Sequence, residues 1–578
     1  MYQLKSPISA IGNACYALSL LGLAFGYKNP IIPGFNPDPD ILRTGDDYFI
    51  ATSTFEFFPG IPIYHSKDLV NWTTIGHAYN RPSQLNMRGT APSAGLWAPT
   101  LRYNKGYYYL STTWYDIIQN PDNTTRIPRS MYVRTKDIFD ETQWSDPVYI
   151  DQWGFDPDLF FDDDGKVNKN SILSAFVCAE RWLIQVYTTT AIDAKRFGHP
   201  DAGKFSLYTA EIDIETGDSL TESVLNFNSP LEPNSRLAEG SHIYKFNGTY
   251  YLLVAEAGTN IGHRVTNYRS TVGPFGPWEA NPHNPLVYNG RNTSLPILST
   301  GHGGIVQTPE GDWYATFLGT RPQNPENSSG RAQLGRETFL APLKWLDDGW
   351  FTINDGKDIT FDMPGLYDLE VPKVWKDEFK GKFTDKNYYT VRTPYKSFHA
   401  FPKDGGIDIR GNIYNLSDRE TAACFFRKQT EISTTFSTKL KFKPTSPRHE
   451  AGITIYLSIF FHDEIGLTIN PSTNKTAIFT KTRTGDLAVE TNTFVDLPDG
   501  TDEASLYIEA KPDKYSFGYA IGTDAPKYLT SVSNKWLASK IDGWSGNFVG
   551  THFGFYATSN GLPMLQKAHF SHIQTERP

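Results

Sequence analysis

The chain of 578 residues exceeds what one hydrophobic core usually supports, so we expect at least two domains. Aromatic residues make up 14% of it, and 47 glycines and 38 prolines favour short strands and tight turns, so we predict an all-β protein. The net charge of −9 is spread over mixed signs with no basic run or stripe, which excludes the usual signature of a nucleic-acid partner.

The N-terminal segment, residues 1–26, holds one lysine, Lys5, and then a mostly apolar run from Ala14 to Phe25. This run is too short to span a bilayer and has the length of the apolar region of a signal peptide. We therefore predict a secreted, extracellular protein that has no membrane partner. A buried N-terminal strand or a cloning remnant is the alternative interpretation.

Acceptor motifs for N-glycosylation agree with secretion, although several would occur by chance. They lie at Asn71, Asn123, Asn247, Asn292, Asn327, Asn415 and Asn474 and predict a glycoprotein. Of the three cysteines, Cys15 lies in the predicted signal peptide, and Cys178 and Cys424 are far apart. Neither a disulfide framework nor a cysteine metal cluster is expected from this spacing.

A carboxylate between two prolines opens the next part of the chain, in Gly34-Phe35-Asn36-Pro37-Asp38-Pro39-Asp40. Each proline ring fixes its own φ and restricts the residue before it, so Asp38 lies on a stiff backbone. A similar pattern recurs in Gly154-Phe155-Asp156-Pro157-Asp158. One Asp-Pro is ordinarily a turn, but two copies that each lead into an aromatic strand suggest a common site.

A turn followed by an aromatic-rich strand recurs along the chain as far as Trp350. The clear copies are Gly45–Ala51, Asn104–Leu110, Asn247–Leu253 and Glu310–Thr316, and a poorer copy opens at Asp162–Gly165. Repetition of small antiparallel sheets is typical of a β-propeller, whereas an array of β-sandwiches would not need five equivalent units. We predict a five-bladed β-propeller over residues 27–355.

The pattern changes after Trp350. Residues 356–373 are rich in Asp, Gly and Pro and predict a linker. Over residues 374–578, apolar and polar residues alternate along longer strands, which predicts a β-sandwich domain of jelly-roll-like type. The expected strands are Thr435–Phe442, Ala451–Phe461, Thr476–Arg483, Ala504–Lys511 and Tyr515–Gly522.

Three carboxylates begin different predicted blades, and a propeller presents its inner strands to one central cavity. Asp38 opens the first blade, Asp156 opens a later one, and Glu239 follows in Arg236-Leu237-Ala238-Glu239-Gly240-Ser241-His242. Glycosidic cleavage needs one carboxylic acid to protonate the leaving oxygen and one carboxylate to activate water or attack the sugar. A third acid nearby raises the pKa of the proton donor through like-charge repulsion. The trio indicates a carbohydrate hydrolase.

At these residues the chain resembles glycoside hydrolase family 43, in particular its β-xylosidases with an appended C-terminal sandwich. The resemblance runs in order from Asn29 to Trp350 and more loosely through the sandwich. Its motifs are Gly34–Pro39, Ser53–Gly60, Tyr64–Trp72, Arg81–Met87, Leu96–Pro99, Gly154–Pro157, Ala238–Gly240, Gly301–Gly303 and Leu334–Thr338.

The resemblance implies an inverting mechanism in which Asp38 is the general base that activates water. Glu239 would be the general acid, and Asp156 would tune its pKa and orientation. Inversion needs a gap of roughly 6.5–9.5 Å between base and acid to admit the water. As isolated residues, Asp156 would be interpreted as a turn residue and Glu239 as a solvated loop acid.

Sugar contacts are also implied by the resemblance. Phe55, Trp97 and Phe155 would wall a small pocket, stacking on the sugar ring and excluding water. Arg336 would donate paired hydrogen bonds to sugar hydroxyls, a geometry that its planar fork suits. Packing between blades is the alternative role for each aromatic residue.

His302 corresponds to a central-cavity histidine of the family, where a bound calcium or water sometimes lies. Thr259 and His263 would line the same cavity, and a structural role is the alternative for His302. No cofactor is required, although the resemblance leaves room for calcium beside His302. The run Asp162-Asp163-Asp164-Gly165 lacks the alternating ligand spacing of a calcium loop and predicts a hairpin turn.

The predicted sandwich has two interpretations. It either binds polysaccharide as an independent module or packs on the propeller and closes one side of the pocket, as it does in related β-xylosidases. In the second case a late loop offers a phenylalanine, and Phe548 in Gly543–Gly550 is the candidate.

We therefore expect a secreted, exo-acting glycosidase that removes terminal β-D-xylose from xylo-oligosaccharides or arabinoxylan-derived substrates. An α-L-arabinofuranosidase or a bifunctional enzyme is the alternative, because the two sugars present similar hydroxyl patterns to one pocket. A catalytically silent carbohydrate-binding propeller is a remoter alternative, which the retained trio disfavours. The sequence does not predict an oligomeric state.

Overall fold

The computed structural model describes residues 26–120, 123–162, 185–192, 205–323, 332–367, 372–383, 385–485, 491–539 and 547–578. Residues 1–25 of the predicted signal peptide, most of the hairpin predicted at 162–165, Cys178 and Asn327 lie outside these ranges. The described part of the chain is all-β, as predicted. Its helices are single 3-10 turns, Glu141–Gln143, Pro233–Ser235, Asn289–Arg291, Asn354–Gly356 and Asn534–Trp536. None of these could cross a membrane.

Five antiparallel sheets of four strands occupy the described residues between 40 and 353. Within each sheet, the four strands lie side by side in the order in which they follow along the chain. In chain order the strands are Asp40–Thr44, Asp47–Ala51, Gly60–Ser66 and Thr73–Tyr79; Gly95–Asn104, Tyr107–Asn120, Asn123–Thr135 and Val148–Ile150; Phe155–Phe161, Gln185–Ile192, Phe205–Glu211 and Val224–Asn228; Ala238–Phe246, Thr249–Glu256, Arg264–Ser270 and Glu279–Ala280; Leu298–Gln307, Trp313–Thr320, Arg336–Trp345 and Phe351–Ile353. The four clear aromatic repeats each form the second strand of a sheet.

The first strand of each sheet contacts the first strand of the next sheet. The first strand of the fifth sheet in turn contacts the first strand of the first sheet, which closes the circle. Residues 29–36 run along the third strand of the fifth sheet. There the Asn29 side-chain amide donates to the Leu340 carbonyl at 2.9 Å, and the Asn36 amide donates to the Arg336 carbonyl at 2.9 Å. The beginning of this region is thus bonded to its end, and residues that start the first strands meet at the centre.

Two further sheets follow. The larger contains His399–Ala400, Ile407–Arg410, Lys567–Glu576, Thr434–Lys441, Glu503–Ala510, Lys514–Ala520, Lys527–Ser533 and Val374–Asp377. The smaller contains Ala423–Lys428, His552–Thr558, Glu450–Ser458, Phe461–Ile469, Thr476–Thr484 and Thr491–Asp496. Apolar residues of both sheets form one core, as expected for a β-sandwich.

One predicted strand of the sandwich is wrong. The strand predicted over Ala451–Phe461 ends at Ser458, because Ile459 and Phe460 form a turn and Phe461 already begins the next strand, Phe461–Ile469, which pairs with Glu450–Ser458. This turn contains no Gly, Pro, Asn or Asp, so the usual local signal of a reversal is missing.

The sandwich and the five-sheet region are bonded to each other. Thr390–Val391 pairs with Phe57–Phe58, and the Phe57 ring stacks on His552 with centroids 4.0 Å apart. Gly26–Lys28 pairs with Asp362–Pro364, which lies within the predicted linker. The apolar core of the sandwich also includes Phe35, Phe55 and Phe57.

Candidate active site

Irregular backbone begins the first strands of the sheets and positions the predicted site residues. Asp38, Asp156 and His302 have φ values of 56°, 50° and 47°, in the left-handed region that side chains rarely adopt. Strand pairing shifts register between Phe155 and Asp158 and again between Glu239 and His242. Bulges of this kind re-aim side chains beside active sites, and strained φ values cluster there.

Asp38 is a buried carboxylate held from both sides. Its Oδ1 accepts a hydrogen bond of 2.6 Å from Arg336 Nη1, and its Oδ2 accepts one of 2.6 Å from Ser53 Oγ. Charge-assisted hydrogen bonds of this length fix a carboxylate firmly. Asp38 is therefore anchored in one orientation.

His302 brings the three predicted carboxylates together. Its Nδ1 lies 3.7 Å from Asp38 Oδ1 and 4.0 Å from Asp156 Oδ2. Gly240, which follows Glu239, packs so closely on the same ring that a Cβ there would lie 2.6 Å from Nδ1. One imidazole thus lies within 4.0 Å of the Asp38 and Asp156 carboxylates and packs on the residue that follows Glu239.

Glu239 and Asp156 hold protons more tightly than isolated carboxyl groups do. Burial, and then the negative charge of Asp38, raises the pKa of Glu239 to about 7, and Arg336 opposes the shift. Burial, and then Glu239 and Asp38, raises the pKa of Asp156 well above its ordinary value. The repulsion between Glu239 and Asp156 is mutual, so this pair retains a proton near neutral pH.

Glu239 has the properties of a proton donor. Its Oε1 is buried and accepts no hydrogen bond from the described residues.

Burial lowers the pKa of His302 to about 4, although Asp38 opposes this shift, so the imidazole is neutral near pH 7. The arrangement thus combines a clamped carboxylate, Asp38, with a protonated acid, and this pair is suited to acid–base chemistry.

The predicted aromatic residues form one continuous wall. Ring centroids are 5.6 Å apart for Phe55 and Trp97 and 5.7 Å for Trp97 and Phe155. Phe548 from the sandwich reaches this wall, 6.2 Å from Phe55 and 5.9 Å from Trp97. The Arg336 guanidinium lies 5.5 Å from the centroid of Phe55 and 5.9 Å from that of Phe548, so the wall continues to the Asp38 clamp.

Thr259 and His263 occupy different environments. His263 is buried, its Nδ1 lies 3.2 Å from the Ser299 carbonyl, and burial lowers its pKa to about 3. Thr259 is half-buried in the bend after the second strand of the fourth sheet, and no described hydrogen bond joins it to the three carboxylates. Among the described residues, no group of three or more His, Cys, Asp or Glu side chains is suited to hold a metal ion. Calcium beside His302 stays a prediction.

A second buried charge cluster lies next to this group. Arg102 donates to Asp40 Oδ2 at 2.9 Å and to Asp158 Oδ1 at 2.6 Å. The two aspartates follow Asp38 and Asp156 by two residues, and the His242 ring lies 6.0 Å from the ring of His302. The charge of Asp40 is thus paired with Arg102 rather than left beside Asp38.

Several contact residues were missed by sequence reasoning. Ser53 holds Asp38, Tyr115 stacks on Trp97 with centroids 4.0 Å apart, and Ser93 bonds to Trp97 and Phe548. Ser53 stands in a quoted motif and precedes Phe55 by two residues, which was the available signal. Nothing local distinguishes Ser93 or Tyr115 from other turn and strand residues.

Comparison with known proteins adds family relationships. Residues 27–169 and 180–351 match the family model described as glycosyl hydrolases family 43, and residues 376–576 match a beta xylosidase C-terminal concanavalin A-like domain. A non-reducing end alpha-L-arabinofuranosidase of Bacteroides ovatus is 33% identical over 552 residues, which cover 94% of this chain and 93% of that protein. A xylosidase/arabinosidase of Humicola insolens is 34% identical over 444 residues, 74% of each chain. The crystal structure of a xylan beta-1,4-xylosidase from Bacillus halodurans superposes with a TM-score of 0.82 at 28% identity, covering 95% of this chain and 100% of that one.

Proposed function

The chain belongs to glycosyl hydrolase family 43 and is a glycosidase, and we propose that it releases terminal β-D-xylose from xylo-oligosaccharides with inversion. The observation that supports this proposal is the convergence of Asp38 and Asp156 on the buried His302 ring, with Glu239 beside the Gly240 that packs on that ring and close enough to Asp38 and Asp156 to interact with their charges. An anchored carboxylate and a protonated acid are the two groups that glycosidic cleavage requires.

In the proposed mechanism Asp38 accepts a proton from the attacking water. Arg336 and Ser53 hold both of its oxygens, so the carboxylate needs no reorientation during the reaction. Glu239 donates its proton to the leaving oxygen while the bond to the anomeric carbon breaks. Burial and the charge of Asp38 keep Glu239 protonated near neutral pH, and Asp156, whose own pKa is raised by burial and by the charges of Glu239 and Asp38, is coupled to it.

The fold supports an exo-acting enzyme. We infer that the five sheets are the blades of a propeller over residues 27–355, joined by residues 356–373 to a sandwich over 374–578. Phe548 comes from that sandwich and stands against Phe55 and Trp97, so it would close one side of the pocket. A closed pocket favours a terminal sugar. Secretion by means of residues 1–26 remains part of the proposal.

Release of α-L-arabinofuranose is the second candidate activity. It is favoured by the names of two similar proteins, an arabinofuranosidase and a xylosidase/arabinosidase. Aryl β-D-xyloside and aryl α-L-arabinofuranoside, assayed side by side, give the preference directly. Absence of activity on both would contradict the proposed function.

Leaving-group dependence tests the assignment of acid and base. A leaving group of low pKa needs no proton, so Glu239→Ala should retain more activity on a dinitrophenyl glycoside than on a disaccharide. Asp38→Ala should lose roughly 100-fold or more on both substrates, because both need the activated water. Equal losses for the two variants on the two substrates would reject these roles. Inversion is tested by following the reaction by NMR, because an inverting enzyme acting on a β-xyloside releases the α-anomer of xylose first.

A further inference from the structure

Ser93 lies in a buried turn between the first and second sheets. The Ala94 amide donates to the Ala91 carbonyl at 3.1 Å, which closes the turn, and Ser93 has a φ of 59°. A left-handed φ at this position of a turn is ordinarily supplied by glycine or asparagine. The presence of serine therefore calls for an account of its side chain.

The three polar groups of Ser93 reach three separate parts of the chain. Its amide donates to Glu56 Oε2 at 3.0 Å, and its carbonyl accepts from Trp97 Nε1 at 3.2 Å. Its Oγ accepts a hydrogen bond of 3.0 Å from the Phe548 amide. Each partner is a wall residue or the direct neighbour of one, because Glu56 follows Phe55.

Glu56, whose carboxylate accepts the hydrogen bond from the Ser93 amide, is itself buried. Burial raises the pKa of Glu56 to about 7, although the nearby Arg392 opposes the shift. The Arg392 amide donates to the Glu56 carbonyl at 2.7 Å, and the Arg392 guanidinium Nε donates to the Thr90 carbonyl at 2.7 Å. Arg392 of the sandwich is therefore hydrogen-bonded both to Glu56, the partner of the Ser93 amide, and to Thr90, which lies just before the Ser93 turn.

We propose that Ser93 is a positioning residue that sets the closure of the aromatic wall, by binding the sandwich segment at Phe548 to Trp97 and Glu56. This inference rests on the proposed glycosidase function, since the wall is taken to bind the terminal sugar. Of its three hydrogen bonds only the one to Phe548 uses the side chain. The hydroxyl is thus the one group of Ser93 that bonds directly to the sandwich, in addition to the bonds that Arg392 makes to Glu56 and Thr90.

Ser93→Ala removes this hydroxyl and keeps both backbone hydrogen bonds. Loss of one hydrogen bond should raise KM for an aryl glycoside about fivefold with little change in kcat, because binding to the wall weakens. Ser130→Ala is a matched control, since Ser130 is also buried, in the third strand of the second sheet, and its hydroxyl donates to the Gln152 carbonyl at 3.1 Å rather than bonding to a wall residue. It should leave KM unchanged.

A double-mutant cycle separates positioning from general damage. If Ser93 acts through Phe548, adding Ser93→Ala to Phe548→Ala should change KM no further. Independent, additive effects would overturn the proposal, as would an unchanged KM in the single variant.

Hydrogen exchange tests the tether without any substrate. The Phe548 amide should exchange faster in Ser93→Ala than in the wild-type protein and in Ser130→Ala. Unchanged exchange overturns the tether even if the glycosidase assays succeed. Faster exchange in a protein that cleaves neither glycoside supports the tether and leaves the proposed function as the part that fails.

Discussion

Protonation in this site is set by neighbours more than by residue type. Glu239 and Asp156 are both buried beside Asp38, yet Asp38 has an arginine and a serine on its oxygens while Glu239 Oε1 has no described partner. Hydrogen bonds to the charged form stabilise it, and burial without them favours the neutral form. Glu239, buried with one unbonded oxygen, therefore keeps its proton up to about pH 7.

The decrease of kcat/KM at alkaline pH, the alkaline limb of the pH profile, should reflect the loss of the Glu239 proton. Because its pKa is raised to about 7, the acid is protonated below pH 7 and loses its proton as pH rises above it. We expect kcat/KM on a disaccharide to fall above about pH 7, approaching tenfold per pH unit. Glu239→Gln, assayed on a dinitrophenyl glycoside, should lack this limb. A limb that persists at the same pH in that variant would assign it to another group.

The residue types of the site could be predicted, but several of its contacts could not. Asp38, Asp156 and Glu239 stand in stretches of sequence rich in Gly or Pro, which marks them locally. The bond from Ser93 to Phe548 spans 455 positions and that from Arg336 to Asp38 spans 298, and no local pattern encodes pairs so distant. The carboxylates were accessible to sequence reasoning because of their flanking residues, whereas Ser53 and Ser93 required the folded chain.

At the scale of elements, the aromatic repeats were predictable because they are regular strands. Each forms the second strand of a sheet, with a polar turn before it that announces its start. The first strands carry the site and are less regular, since their register shifts at Asp156–Pro157 and at Gly240–Ser241. A bulge changes which way the next side chain points, so period-two alternation does not predict it.

Gly240 allows a test of the bulge that carries Glu239. Its φ is 55°, and an added Cβ would lie 2.6 Å from His302 Nδ1, so Gly240→Ala should displace the imidazole or Glu239. A displacement of this kind should reduce kcat/KM roughly 100-fold.

Gly248→Ala provides the control, in the turn of the same hairpin. Gly248 has a φ of 79°, and its added Cβ would meet nothing within 4 Å, so only the backbone conformation is penalised. Both variants should lose about 1 kcal/mol of unfolding free energy from the left-handed φ, and only Gly240→Ala should lose activity. Equal activity in the two variants, measured with melting temperatures, would contradict a functional role of this bulge.

At the scale of the whole molecule, the sandwich contacts the segment that carries the proposed base. Lys428 Nζ donates to Asn36 Oδ1 at 2.7 Å, and the Tyr64 hydroxyl donates to the same oxygen at 2.5 Å. Asn36 precedes Pro37-Asp38, whose stiff backbone transmits its position to the carboxylate. The sandwich thus supports the site at two places, this one and Phe548, which is more than a loosely attached binding module would need.

Lys428 also makes the stability of this interface depend on pH. Burial lowers its pKa from 10.5 to about 7 in the folded protein. Between these two values the unfolded chain binds more protons than the folded one, so stability rises with pH from about 7 to 10.5. Below about pH 7 both states bind the proton and the penalty is constant.

Lys428→Met should remove this dependence. The difference in urea midpoint, variant minus wild type, should be largest at pH 7 and should decrease steadily toward pH 9.5. It decreases because the wild-type protein gains stability over this range and the variant does not. The buried His77 and His552 do not contribute in this range, since burial lowers the pKa of each to about 3. Lys441→Met, at an exposed position of the larger sheet, should show no such trend. A difference between Lys428→Met and wild type that stays constant across this range would mean that Lys428 is charged in the folded interface.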